Sequence, residues 1–305
     1  MSFLSRLYQK VIISIDIDIQ TCKVRTTYQN TNQASEEKTY KTINNDLPIE
    51  AAKYIRYIQN KYPFTYIATI ARVKRQGIVN GNKLSSFEKF SLTPHLLIIM
   101  LISKKWFVYI DKEDMAKYKS KFSKVKGVDF IFSPFCFIYE KVKNRLDTAK
   151  KLYILQNNSS CTLLIADING VYFGNYIMFE KESLNIQDNI EEKSDGIVEF
   201  EEINDIDENI IIKEFDNKQD TNTSSLNDLN IANTMIDIIK DTLNSFYKDD
   251  KYASDFIEEL LILDACGISD NSITYLTNNI MLDTQFLRIN ICDEIEKLVK
   301  MELRL

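Results

Sequence analysis

Val11, Ile13, Ile15, Ile17 and Ile19 alternate with Ser14, Asp16, Asp18 and Gln20 near the start of the chain. A period of two puts the apolar set on one face and predicts a half-buried strand. KVRTTY, with Val24, Thr26 and Tyr28 in register, predicts its hairpin partner, with the turn at 19–22. The spacing then becomes helical. Ile49, Ala52, Ile55, Ile58 and Tyr62 form one stripe behind Pro48, whose missing N–H costs nothing in a first turn. YIATIARV, LLIIMLI, WFVYI and VDFIF read as strands. Asp111 caps a helix striped by Met115, Tyr118, Phe122 and Val125, with Gly127 close after its end. Ser133 and Pro134 open another, striped by Phe135, Ile138, Val142 and Leu146.

The theme then restarts. KLYILQ, CTLLIADI and VYFGNYIMF read as strands, and Ile231, Met235, Ile238, Ile239, Leu243 and Phe246 as the stripe of a long helix. ELLILDA, a turn at Gly267, a helix opened by Ser269, the strand FLRINI and a charged helix complete the chain. Between the third strand and the long helix, 180–228 has weak periodicity and polar clusters such as DNKQDTNTSSLND. It reads as an acidic, mobile insertion with short strands at 197–200 and 210–212. Each half thus opens with a hairpin carrying an Asp at the end of its first strand, after which helices alternate with strands. That order favours an α/β chain with two sheets over one doubly wound sheet.

Charge sharpens this division. The net charge of the 305 residues is −6, yet 180–228 holds 16 acidic and 4 basic residues, leaving a body of net +6. A scattered, solvated pattern is the simpler reading of that mild excess, with an anionic membrane surface the alternative. No basic-aromatic motif supports nucleic-acid binding. The five cysteines are dispersed and odd in number, which fits neither a disulfide framework nor a zinc motif and points to free thiols in a reducing compartment. His95 is the only histidine, and its place before an apolar run suits a structural role. The longest apolar run, 96–102, is far short of the roughly 20 residues of a membrane span. No secretory signal is expected.

Three turns carry candidate chemistry: Asp16-x-Asp18-x-x-x-x-Lys23, Asp167-Ile168-Asn169-Gly170 and Asp264-Ala265-Cys266-Gly267. With them the chain resembles the actin superfamily of ATPases, whose pattern D-x-G-x-x-x-x-K the first turn matches without a gap. The resemblance implies an actin-like (ribonuclease H-like), duplicated, two-lobed α/β fold. In it two hairpin turns clamp nucleotide phosphates and a glycine-rich turn holds adenosine. Asp16 and Asp167 would hold Mg²⁺ through waters and Lys23 would contact phosphate, because a polyphosphate needs cations and the cation needs carboxylates. This chain departs from the pattern. Asp18 replaces a glycine; two like charges about 4 Å apart cost about 4 kcal/mol at an effective dielectric near 20. Gln20, Asn169, Val171, Tyr172 and Phe173 stand where small or hydroxyl residues are usual, and only Gly267 remains of a glycine cluster. The expectation is a pseudo-ATPase with vestigial nucleotide residues Asp16, Asp18, Lys23, Asp167, Asn169, Gly170 and Gly267. It would have no catalytic residue and no resident cofactor; ATP and Mg²⁺ enter only if the site functions.

Within the superfamily, FLSRLYQKVIISIDIDIQTCKVR is similar to the opening of the PilM family, whose relatives include the cytoplasmic half of GspL and FtsA. KKWFVYIDKEDMAKYKSKFSKVKGVDFIFSPFCFIY resembles its small inserted subdomain, placed here at 84–146 between halves at 1–83 and 147–305. FYKDDKYASDFIEELLILDACGISDNSITYLTNNI is similar to its closing region. The resemblance implies a cytoplasmic scaffold, peripheral at the inner membrane, that captures in a groove the N-terminal cytoplasmic tail of a PilN-like single-pass partner. It would join other subunits of an envelope machine: a type IV pilus, type II secretion, DNA uptake or a flagellar-motor accessory. Self-association is a further expectation. Candidate partner residues are Arg72, Lys74 and Arg75 of RVKRQG, and Trp106, Phe107 and Tyr109. The alternatives are an active ATPase or filament former similar to FtsA, which the missing glycines disfavour, and a sugar or acyl kinase, for which no motif is present.

Overall fold

A computed structural model describes residues 9–29, 34–42, 45–179 and 219–305. The first half runs β1 (Lys10–Ile17), β2 (Thr21–Tyr28), β3 (Glu36–Lys41), α1 (Ile49–Lys61) and β4 (Phe64–Ile70). It continues with β5 (Gln76–Asn80), β6 (Leu97–Ile102), β7 (Trp106–Asp111), α2 (Lys112–Ser120), β8 (Phe130–Phe132) and α3 (Pro134–Val142). The second half runs β9 (Lys151–Gln156), β10 (Ser160–Asp167), β11 (Gly170–Met178), α4 (Gln219–Lys248), β12 (Glu259–Asp264), α5 (Asp270–Asn279), β13 (Asp283–Arg288) and α6 (Ile291–Leu303).

The two five-stranded sheets have the orders β3-β2-β1-β4-β8 and β11-β10-β9-β12-β13. In each, the first strand pairs antiparallel with the second and parallel with the fourth, and the fourth pairs parallel with the edge strand. The halves therefore correspond in topology element by element as β1/β9, β2/β10, β3/β11, α1/α4, β4/β12, α2/α5, β8/β13 and α3/α6. This is the duplicated two-lobed α/β plan. What the first half has in excess is the third sheet, β5-β7-β6, inserted between β4 and α2. The inserted sheet thus spans 76–111, not the whole of 84–146, because β8 returns to pair with β4 through Ala68–Phe130 and Ile70–Phe132.

The last helices are exchanged between halves. Helix α3 lies on β9 and β10, and α6 lies on β1 and β2. Ile291, Ile295, Leu298 and Val299 recur at helical spacing, and Asn290 caps the start by accepting from the N–H groups of Cys292 (2.8 Å) and Asp293 (3.3 Å). This exchange explains a departure from the alternating pattern: β1 is buried on both faces rather than one. Val11, Ile13, Ile15 and Ile17 pack toward Ile55 and Ile58 of α1. Ser14 and Asp16 are covered on the other face, where the Cys292 thiol of α6 lies 3.7 Å from the Ser14 carbonyl. The strands expected at 197–200 and 210–212 lie outside the described residues. The end of the acidic segment, from Gln219, forms the first turns of α4. Among the described residues no helix is long and apolar enough to cross a membrane.

Candidate functional site

Internal symmetry identifies the turns that face each other. The counterpart of the β1–β2 turn is the β9–β10 turn, Asn157 to Ser159, and not the Asp167–Gly170 turn that the sequence suggested. Asp167 and Gly170 close the β10–β11 hairpin, one strand further along and at its opposite end. There the Asp167 carboxylate accepts from the amides of Asn169 (2.6 Å) and Gly170 (3.1 Å) and from the Tyr172 hydroxyl (2.9 Å). Asp167, Asn169 and Gly170 are thus a self-capped turn remote from Asp16. The hairpin frame misled because β9, the counterpart of β1, ends in Gln156 while the next strand, β10, ends in Asp167, and only pairing order tells which turn meets the cleft.

At the cleft, Asp18 reaches across the halves. Its carboxylate accepts from its neighbour Ile19 N–H (3.0 Å) and from Asn158 N–H of the opposite turn (3.2 Å). The Asp18 and Asn157 amides bond to the carbonyls of Thr21 (2.8 Å) and Ser160 (2.9 Å). Four turn amides are thereby engaged by protein oxygens. Arg72 enters from the end of β4. Its Nη2 donates to Asp16 Oδ1 at 2.5 Å, and its Nη1 to Ser159 Oγ at 2.6 Å and to Asp18 Oδ1 at 3.4 Å. Its side chain is 8% exposed and those of both aspartates 10%. Burial works against the guanidinium's charge, but Asp16 and then Asp18 more than restore it, so its pKa lies above the usual arginine value. Lys23 stands opposite Asp16 in the β1–β2 register. Arg72 was expected on a partner-binding loop; it is instead an interlobe cation. Among the described residues no cluster of three or more His, Cys, Asp or Glu is placed to hold a metal.

The third turn follows β12 as expected. The Asp264 carboxylate accepts from the amides of Cys266 (2.9 Å), Gly267 (2.9 Å) and Ile268 (3.0 Å), and Gly267 adopts a φ of 77° that its missing Cβ allows. The turn wraps its own carboxylate.

The expected partner aromatics are mostly core. Trp106 is 0% exposed, edge-on to Tyr139 of α3. Phe107 and Tyr109 point to the other face of the small sheet, against Phe87. Arg75 is exposed but held by Asp111 and Asp114 (2.8 Å each) and Glu113 (3.2 Å). Lys74 is exposed.

A different surface is open. A groove of about 500 Å³ lies between the small sheet, β8, α3 and α6. Ile98, Met100 and Ile102 of β6, with Val108 and Ile110 of β7, form one wall; Phe130 and Phe132 of β8 belong to the other. Met100 is 59% exposed and Ile98 42%. Among the described residues both β6 and β8 are edge strands, and side chains of both line the same apolar groove. Glu140, Lys143 and Glu302 bring charge to it. LLIIMLI carried no sign of this, because a continuous apolar run reads as a strand covered on both faces.

Residues 152–304 match a family described as "Domain of unknown function (DUF8341)", and residues 8–139 one described as "Domain of unknown function (DUF8569)". No curated protein matches the chain. Among solved structures, a PilM–PilN type IV pilus biogenesis complex is similar at 11% identity, covering 96% of this chain and 93% of that one, with a TM-score of 0.52. A Bacteroides thetaiotaomicron protein with an actin-like ATPase fold and unknown function is 11% identical over 98% of this chain and 99% of its own, with a TM-score of 0.47. MreB 5 of Spiroplasma citri bound to AMPPNP is 9% identical over 97% of each chain, with a TM-score of 0.44. The fold is actin-like.

Proposed function

Since the chain belongs to the DUF8341 family, a domain whose function is unknown, we propose from its actin-like fold and its groove that it is a non-catalytic, PilM-like scaffold. Its groove takes the extended N-terminal tail of a single-pass inner-membrane protein, which holds it at the cytoplasmic face of that membrane. Its role is assembly of an envelope machine of the type IV pilus or type II secretion kind, or a DNA-uptake or flagellar-motor relative.

The observation that carries this reading is the pair of edge strands, β6 and β8, lining one apolar groove. An extended peptide adds to such an edge through main-chain hydrogen bonds and sets alternate side chains into pockets. Without cover, an exposed apolar edge strand is an aggregation site. The cleft supports the non-catalytic half. Asp18 takes the turn amides that an anion would need, and Arg72 balances the carboxylates that a magnesium ion would need. The residues present therefore do not fit a magnesium-bound polyphosphate.

Peptides copying the cytoplasmic tails of single-pass membrane proteins encoded beside this chain's gene test the reading by fluorescence anisotropy. One tail is expected to bind at micromolar affinity, and Met100→Glu to weaken it about tenfold or more, with phosphate release from MgATP at background. Absence of binding by every tail refutes the partner. Sustained hydrolysis refutes the scaffold in favour of an FtsA-like ATPase.

A further inference from the structure

We propose that Arg72 is a built-in cation that joins the two halves where a ligand would otherwise be needed, so that the cleft is closed by the chain itself. This rests on the non-catalytic half of the function proposed above.

Symmetry brings two equivalent hairpin turns face to face, one from each half. Arg72 leaves the end of β4, the position that Ala265 and Cys266 occupy after β12, so the second half carries no cation at the matching position. The guanidinium bridges a carboxylate of β1, a carboxylate of the first turn and the hydroxyl of Ser159 in the opposite turn. Asp18 makes the reciprocal crossing to the Asn158 amide. The two links run through one another, since Asp18 Oδ1 also receives Arg72 Nη1. A planar fork with five donors suits this task better than a lysine, which would offer one point charge. Buried carboxylates this close need a cation, and breaking a buried pair by removing one partner leaves charge uncompensated. Arginine is the cation that never leaves.

Removing the cation should open the position to another. Arg72→Ala leaves Asp16 and Asp18 with the Ser159 hydroxyl around a vacated position, a set of hard oxygens that a small divalent ion can enter. With Mn²⁺ as probe, the full chain is assayed by thermal unfolding and by native-state hydrogen exchange at Asn158. The wild type is expected to ignore millimolar Mn²⁺. The Arg72→Ala variant is expected to melt lower without the ion, to exchange Asn158 at least about tenfold faster, and to gain about 4 °C with Mn²⁺. Adding Asp16→Asn and Asp18→Asn is expected to abolish that gain. A wild type stabilised by Mn²⁺ as strongly as the variant overturns the proposal, as does an Arg72→Ala protein that exchanges Asn158 no faster. Should Arg72→Ala fail to fold, the uncharged triple variant Arg72→Met, Asp16→Asn, Asp18→Asn is expected to fold; its failure would place the role of Arg72 in packing and overturn the charge account. Sustained MgATP hydrolysis by the wild type refutes the underlying reading as well, whereas the Mn²⁺ and exchange results refute the built-in cation alone.

Discussion

Trp106 separates a core residue from a partner anchor. It is 0% exposed, sits between the small sheet and α3, and meets the Tyr139 ring edge-on with centroids 5.4 Å apart. Truncation to alanine removes about 200 Å² of buried aromatic surface, worth about 5 kcal/mol at 25 cal/mol per Å². Allowing for a denatured chain that already hides part of that area brings the loss to roughly 4 kcal/mol, inside the range of Trp→Ala changes in cores. Among the described residues the buried indole N–H has no acceptor, so it opposes stability by about 1–3 kcal/mol. Trp106→Phe keeps most of the ring and deletes that donor, and is expected to stay within about 1 kcal/mol of wild type. Urea unfolding followed by far-UV circular dichroism reads both. Truncation to alanine also deletes the unpaired donor, so its net cost is about 2 kcal/mol, and with an m-value near 3 kcal/mol/M it lowers the midpoint by about 0.7 M. Because Trp106 is the only tryptophan, and its neighbours Ile102 and Tyr139 line the groove, its emission should also move when a tail fills the groove. A Trp106→Ala protein of nearly wild-type stability that had lost tail binding would refute the burial argument and restore Trp106 as a surface anchor.

Asp264→Ala leaves the buried Ile268 amide and the part-buried Cys266 and Gly267 amides without their acceptor and should cost about 2 kcal/mol by urea unfolding, with Asp264→Asn costing about half as much. Gly174→Val should destabilise by about 1–3 kcal/mol in the same assay, because a Cβ there comes within 2.7 Å of Ile78 and 3.0 Å of Phe135 at the junction of the halves. Burial pushes the Glu294 carboxyl up, but Lys141 and Lys297 outweigh it and hold it below the usual glutamate value. A lowered folded pKa contributes stability above the unfolded value, lost as pH falls through the folded one. The melting temperature should therefore drop as pH goes from about 5 to about 3, and drop less in Glu294→Gln, as calorimetry would show. Burial drives the Cys22, Cys136 and Cys161 thiols to about 12, and those of Cys266 and Cys292 also well above the ordinary range. A disulfide reagent at about pH 8 should label none of the five in the native protein and all five after denaturation.

The frame of the molecule was legible because it is written in local periods. The alternation from Val11 to Ile17 and the stripe from Ile49 to Ile58 specify a strand and a helix wherever they are placed. What the periods leave open is which elements meet. Nothing local says that Ile291, Ile295 and Val299 would cover the polar face of β1, or that Phe130 would leave the inserted region to pair with Ala68. The same gap explains the site. Asp16 and Asp18 were recognised from spacing, but their partner, Arg72, lies 54 residues beyond Asp18 in a basic stretch that reads as solvated. Asn158 and Ser159 sit in QNNSS, a turn with no charged residue to draw notice. Only the pairing order of β9 with β10 and β12 identifies it as the counterpart of the first turn.

The duplication also says where a partner belongs. Two halves with the same strand order should bury equivalent surfaces, and their last helices do so, α3 on the second sheet and α6 on the first. The symmetry breaks in two places. One is Arg72, which closes the cleft between the halves with charge from one side only. The other is the inserted sheet, which sets the apolar edge of β6 beside β8 in the first half, while the second half has no counterpart to it among the described residues. The proposed function places the binding capacity in the groove, where apolar side chains of two edge strands are exposed, and not in the cleft, whose charges pair within the chain. Under the proposed function, substitutions should then divide cleanly. Changes at Arg72 act on the coupling of the halves and leave tail affinity within about twofold, and Met100→Glu does the reverse, because the two sites share no residue.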